Sequence, residues 1–197
     1  MTLHLYLDAA LTNPISEGDH SNPDKDLFNG SDGEAKDRLL YLANEQTTLS
    51  SGLDEVTTVL PLASPVFANG DILAIGTEQL RIISDGGTTT PTVERGYGGT
   101  TPITHSSGDA VYAGYDYADL TITPLDMDGA DETSWITLGI DLADLDTNTP
   151  GTPLNLSAKT HQTTHSFWRR ITVPANTPVQ NKTDLRLQIS ATQNPIL

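Results

Sequence analysis

Apolar and polar residues alternate along much of this 197-residue chain, and a period of two marks strands with one buried face. Leu3, Leu5 and Leu7 alternate with His4, Tyr6 and Asp8, which predicts a first strand over 3–8 with His4 on the solvent side. In 166–173, Phe167, Arg169, Ile171 and Val173 oppose Trp168, Arg170 and Thr172, so one of Phe167 and Trp168 belongs to a core. In 184–191, Leu185, Leu187, Ile189 and Ala191 point inward while Arg186, Gln188 and Ser190 point out. Residues 38–44, RLLYLAN, are apolar on both faces and predict a central strand. Shorter strands are predicted over 117–123, 134–140 and 154–157.

A second group of strands lies between these. Ile72, Leu73 and Ile75 precede the turn at Gly76-Thr77, and Leu80, Ile82 and Ile83 follow it, so strand–turn–strand is the natural reading. A strand around 92–95, a loop at Gly96–Gly99 and a last strand at 110–112 complete the group. Residues 56–60 offer one more strand, although Pro61 and Pro65 demote the segment after it to an edge or linker. The fold class is therefore all-β. It is a discontinuous immunoglobulin-like β-sandwich, 1–46 plus 116–197, carrying a small inserted barrel-like β module at 47–115.

Residues 12–36 are a polar stretch thick with Asn-Pro, Asp-Gly and Ser, and they predict an extended arm. Leu27 and Phe28 are its apolar anchor, and SDGEAKD supports a helical turn with Asp32 as cap. An arm of this length suits contact with a neighbouring subunit.

Composition narrows the functional classes. A formal charge of −16 argues against sequence-independent nucleic-acid binding, which depends on cationic side chains displacing counterions. Residues 1–146 hold 25 of the 26 acidic side chains but only 5 of the 10 basic ones. A mildly basic C-terminal part can dock on an acidic neighbour, or it can balance the acidic body within one molecule. Without cysteine there is no disulfide and no thiol chemistry. Apolar runs are too short to span a bilayer, and the first residues lack a basic segment followed by a continuous apolar one, so neither a membrane span nor a signal peptide is expected.

Candidate chemistry is sparse. Asp126, Asp128 and Asp131 crowd into a turn that reads as a solvated acidic loop, with a weak structural Ca²⁺ site as the alternative. No other cofactor is expected. His105, Ser106 and Asp109 have the residue types of a hydrolytic triad, but triad members meet by folding and not as sequence neighbours, so the segment reads as a turn. His161 and His165 would share a face only on a helix, in a region that reads as strand and loop. No catalytic set emerges.

Two segments carry a resemblance. ILAIGTEQL followed by TVERGYGGTTPITHSSGDAVY resembles a compact β module that recurs in virion structural proteins of tailed bacteriophages, and the inserted module that contains it, 47–115, makes up about a third of the chain. Gly98 stands where many such modules have Asn, and both residue types tolerate positive φ. SFWRRITVPANTPVQNKTDLRLQISA is similar to segments that close sandwich domains in the same class of proteins. Arg169 there replaces a common aliphatic residue, as suits a more exposed face. The resemblance implies a non-enzymatic virion component, made in the cytoplasm of a bacterial host, that assembles with copies of itself and with other virion proteins. A tail or baseplate accessory protein is the first reading, and a capsid decoration or neck/collar protein is the alternative. Another alternative is a carbohydrate- or receptor-binding module using Tyr97, Tyr115 and Tyr117. Leu27, Phe28, Tyr97, Trp168, Ile196 and Leu197 are the interface candidates, the last two in a free QNPIL tail.

Overall fold

The computed structural model describes residues 2–129 and 131–196. In chain order its strands are β1 (Leu3–Tyr6), β2 (Glu34–Asn44), β3 (Gln46–Thr48), β4 (Ile72–Ile75), β5 (Glu78–Ser84), β6 (Thr92–Glu94), β7 (Ala110–Ala113), β8 (Tyr115–Asp126), β9 (Ile136–Gly139), β10 (Leu154–Asn155), β11 (His165–Val173) and β12 (Leu185–Pro195). Only short 3₁₀ turns accompany them among the described residues, and no helix is long and apolar enough to cross a membrane. The fold is all-β.

Two sheets form a sandwich. One has the order β1-β2-β11-β9, the other β10-β8-β12, and every pairing is antiparallel. Leu3, Leu5, Leu40, Leu42, Ile136, Leu138 and Phe167 from the first sheet meet Tyr117, Leu120, Ile122 and Leu154 from the second. Phe167 is the core member of its pair, and Trp168 lies half-buried on the opposite face. The strand order departs from the expected immunoglobulin arrangement, in which the fourth and fifth strands lie side by side. Here β9 and β10 belong to different sheets. The 3₁₀ segment Leu142–Asp146 folds back over β9, so closely that a Cβ on Gly139 would lie 2.6 Å from Cβ of Asp144, and the chain then crosses to the other sheet.

Between β2 and β8 a third sheet, β3-β7-β4-β5-β6, wraps a second core of Leu49, Leu53, Leu60, Leu62, Phe67, Leu73, Ile75, Leu80, Ile82, Val93, Val111 and Ala113. Tyr115 packs against both cores. Residues 56–60 do not form the expected strand. Asp54 Oδ1 accepts the N–H groups of Val56 and Thr57 and turns the chain, leaving Val56 exposed and a single bridge from Val59 to Thr92. Polar Gln46–Thr48, by contrast, is a strand because β7 offers its backbone an edge.

The polar stretch is not the extended arm expected for 12–36. Glu34, Ala35 and Lys36 belong to β2, opposite Val173, Thr172 and Ile171, so SDGEAKD forms no helical turn. The rest lies on its own sandwich. Ile15 N–H donates to Leu5 O (2.8 Å), and Asn176 and Thr177 N–H groups donate to Ser31 and Gly30. Arg169 is not on an exposed face. It shares the inward side of β11 with Phe167, is 3% exposed, and pairs with Asp24 and Asp26, which also hold Arg38 at 2.7 Å each. A buried guanidinium needs such partners, and the loop supplies them. Asp26→Asn is expected to cost about 1 kcal/mol, since Asp24 remains in place, and to speed amide exchange across 16–30 relative to β2. Exchange mass spectrometry reads this directly.

Candidate functional site

Glu78 begins β5 with its carboxylate fully buried inside the inserted module. Arg95 Nε donates to Oε1 at 2.6 Å and Nη2 to Oε2 at 2.8 Å, a bidentate fork. His105 Nε2 lies 2.8 Å from Oε2, and the N–H groups of Gly96 and Ile103 close the remaining positions at 3.3 and 3.2 Å. The other guanidinium N–H groups of Arg95 donate to the carbonyls of Asp54, Thr57 and Ile103. Burial pushes the Glu78 carboxyl up, but the hydrogen bonds from Arg95, His105 and Ile103 outweigh it and hold the group below its ordinary value. The segment RGYGG turns through left-handed backbone at Gly96 (φ 63°). A Cβ there would meet Thr100 O at 2.6 Å, so only glycine lets the loop close over the carboxylate. His105 thus serves the network, and Asp109 caps the Ser106 N–H at 2.8 Å; they are not members of a triad. Sequence reading missed Glu78. The only signal was a carboxylate between the apolar residues of β4 and those of β5.

A second buried polar group sits where the two units meet. Asn44, the last residue of β2, donates from Nδ2 to the carbonyls of Ala113 (2.9 Å) and Tyr115 (2.8 Å) and accepts at Oδ1 from Lys159 Nζ (2.6 Å). Lys159 is 1% exposed, and Thr160 O takes a second proton at 3.0 Å. Burial pushes its pKa down to about 8, with Asp116 offsetting part of the effect. Nothing in the sequence distinguishes Lys159 from a surface lysine. Beside it opens a cleft of about 180 Å³ lined by Gln46, Tyr112, His161 and Thr163 among others. His161 is oriented by Asp116, with Nδ1 3.1 Å from Oδ1, and meets the Tyr112 ring edge-on at 6.4 Å. His165 points elsewhere, towards Ala158 O, so the two histidines share no ligand position.

The acidic turn is organised around an internal cation. Lys182 Nζ lies 2.6 Å from Glu132, 3.0 Å from Asp184 and 3.2 Å from Asp126. The Glu132 N–H and the Lys182 ammonium hold the Asp126 carboxyl well below the carboxylate range, and hydrogen bonding to Glu132 raises the Lys182 pKa in return. Asp131 binds Thr133 instead, and Asp128 is exposed. Among the described residues no three His, Cys, Asp or Glu side chains are grouped to hold a metal ion.

The interface candidates scatter over the molecule. Leu27 is 89% exposed and does not anchor its loop, whereas Phe28 is half-buried with the Lys36 ammonium 5.3 Å from its ring centroid. Tyr97 lies under the Arg81 guanidinium at 5.0 Å. Ile196 is not part of a free tail: β12 runs to Pro195 against Tyr115, Ile196 N–H donates to Gly114 O, and Leu197 lies outside the described residues. Of the tyrosines suited to a sugar surface, Tyr117 is buried and Tyr115 packs between the cores. The C-terminal cations mostly balance charge within the molecule. Arg169, Arg170 and Lys182 pair with Asp24 and Asp26, with Asp37 and Asp146, and with Asp126 and Glu132, respectively. Compared with protein-family models, with curated protein sequences and with solved structures, the chain matches none.

Proposed function

We propose that this chain is a structural protein of a tailed-phage particle, a tail or baseplate accessory component that works by binding other subunits. One observation carries the reading beyond the resemblance in sequence. Arg95, Gly96, Thr100, His105 and Asp109, within the segment that resembles the virion module, are spent on holding the module's own loops together. Polar residues held in internal contacts are not offered to a substrate, which favours an architectural role for the motif. The sandwich is likewise tied by internal ion pairs and leaves exposed apolar side chains such as Leu27, Val56, Ile83 and Val179 on its periphery and on the module. Antibody against the purified chain is expected to label purified particles at one fixed position in electron micrographs. Recovery of the chain only from the soluble fraction of an infected lysate, with unlabelled particles, would refute the proposal.

A further inference from the structure

Strand β12 is eleven residues long and lies at the edge of its sheet, pairing with β8 on one side. Among the described residues the other backbone bonds flanking it, Met127 N–H to Asp184 O and Ile196 N–H to Gly114 O, lie beyond its two ends. Gly18 of the polar loop lies beside the Arg186 guanidinium but makes no ladder with the strand. A long open edge is a template for another strand, and proteins ordinarily blunt such edges with lysine, inward charges or internal proline. From Leu187 to Asn194 this one has neither a charge nor a proline, and its irregularity is confined to the bulge between Ser190 and Thr192. The flank of the core is also open there. Leu185, Leu187, Ile189 and Ala191 are only partly buried, while Leu120 and Ile122 of the adjoining β8 are 1% and 0% exposed.

We propose that the free edge of β12 is a homodimer interface, in which a second copy of this chain pairs antiparallel and joins two three-stranded sheets into one of six. The inference deepens the assembly role above and rests on it for its biological use. The edge is self-complementary in charge: in a chain with a net charge of −16, residues 185–195 contain no carboxylate and one cation. Facing residues of an antiparallel pair point to the same side of a sheet, so the inward set must meet the inward set. One residue therefore lies on the two-fold axis, at Gln188, Ile189 or Ser190. In these registers Arg186 faces Ser190, Thr192 or Asn194 and never its own copy. The same pairing sets Ile189 opposite Leu187, Ile189 or Ala191 of the other copy and covers the open flank. One strand pair buries less than the roughly 800 Å² per partner of a standard interface, so association is concentration-dependent.

Sedimentation of the full chain over a range of concentrations tests this. A monomer–dimer equilibrium is expected, and Gln188→Lys with Ser190→Lys should weaken it about tenfold or more by setting lysines opposite one another, without shifting the melting temperature at dilutions where the chain is monomeric. The chain has no cysteine, so Gln188→Cys and Ser190→Cys variants, alone and mixed, give a clean cross-linking readout with a short bis-maleimide. Thr172→Cys, on the outer face of β11, should not cross-link. A chain that stays monomeric at every concentration overturns the proposal. So does a dimer that is indifferent to the lysines and uncross-linked at 188 and 190, even where particle labelling succeeds. Cross-linking at β12 with unlabelled particles would instead uphold the interface and remove the virion role.

Discussion

Arg95→Met is expected to lower the stability of the inserted module by about 3–5 kcal/mol, because it strands the Glu78 carboxylate in the interior with only His105 and two backbone N–H groups to face it. Three carbonyls, of Asp54, Thr57 and Ile103, lose their donor at the same time, so the loops on that side of the module lose their tie. The loss should be local: amide exchange across β4–β7 should rise steeply while β2, β8 and β11 retain protection. Equal loss of protection in both units would show that they unfold as one. Replacing both partners, Glu78→Leu with Arg95→Met, should recover much of the loss, since a buried pair exchanged for apolar groups is far less costly than a broken one. Acid should imitate the single variant. The folded Glu78 pKa lies below the unfolded value of 4.5, so between the two the unfolded chain binds the extra proton. The contribution is complete above pH 4.5 and disappears as pH falls through the folded value.

Lys159 also makes stability rise with pH, in a higher window, but here burial penalises the charged form. Its folded pKa of about 8 lies below the unfolded 10.5, so in that interval the unfolded chain again holds more protons and stability rises with pH. At 1.36 kcal/mol for each pH unit, the gain between pH 8 and pH 10 is about 2–3 kcal/mol, since solvent screens a side chain that is 1% exposed very little. Tyr6, whose phenol burial pushes up to about 12, and Tyr117, raised by the same cause, work against stability only above pH 10. Denaturant titrations of wild type and Lys159→Met should therefore diverge by about 2–3 kcal/mol across this window, whatever offset the substitution brings at neutral pH. Parallel curves would show that the ammonium is solvated. Asn44→Ala tests the same junction from the other side. It leaves the Ala113 and Tyr115 carbonyls and one ammonium proton without partners, at a cost of about 2–4 kcal/mol.

The strands were legible wherever one face alone is buried. Leu185, Leu187 and Ile189 announce β12 by their period, and Phe167 with Val173 announces β11. Alternation put Arg169 on the side of Phe167 without showing which side is inward, and an arginine in place of an aliphatic residue suggested exposure; what neutralises it comes from Asp24 and Asp26, far away in sequence. The same distance hid the polar loop's attachment and the Lys182 cluster. Charge pairing has no period, so composition could offer intermolecular docking and internal balance only as alternatives. Glu78, Asn44 and Lys159 were hidden for a related reason: a buried polar residue reads like a surface one until its partners are known. Strand order escaped for want of a local signal, since nothing in residues 140–153 specifies which sheet the chain enters next.

The junction at Asn44 has a consequence for how such a chain can change over time. Glu45 O accepts the Ala113 N–H at 2.9 Å, so the chain leaves the sandwich and returns to it at neighbouring points. A unit attached at two adjacent points can be excised, exchanged or duplicated with little more than a hairpin needed to reseal the host, because few backbone bonds cross the cut. The module is in this sense a portable cassette, and Asn44, whose side chain bonds both of its returning carbonyls, is where any exchange would have to be renegotiated.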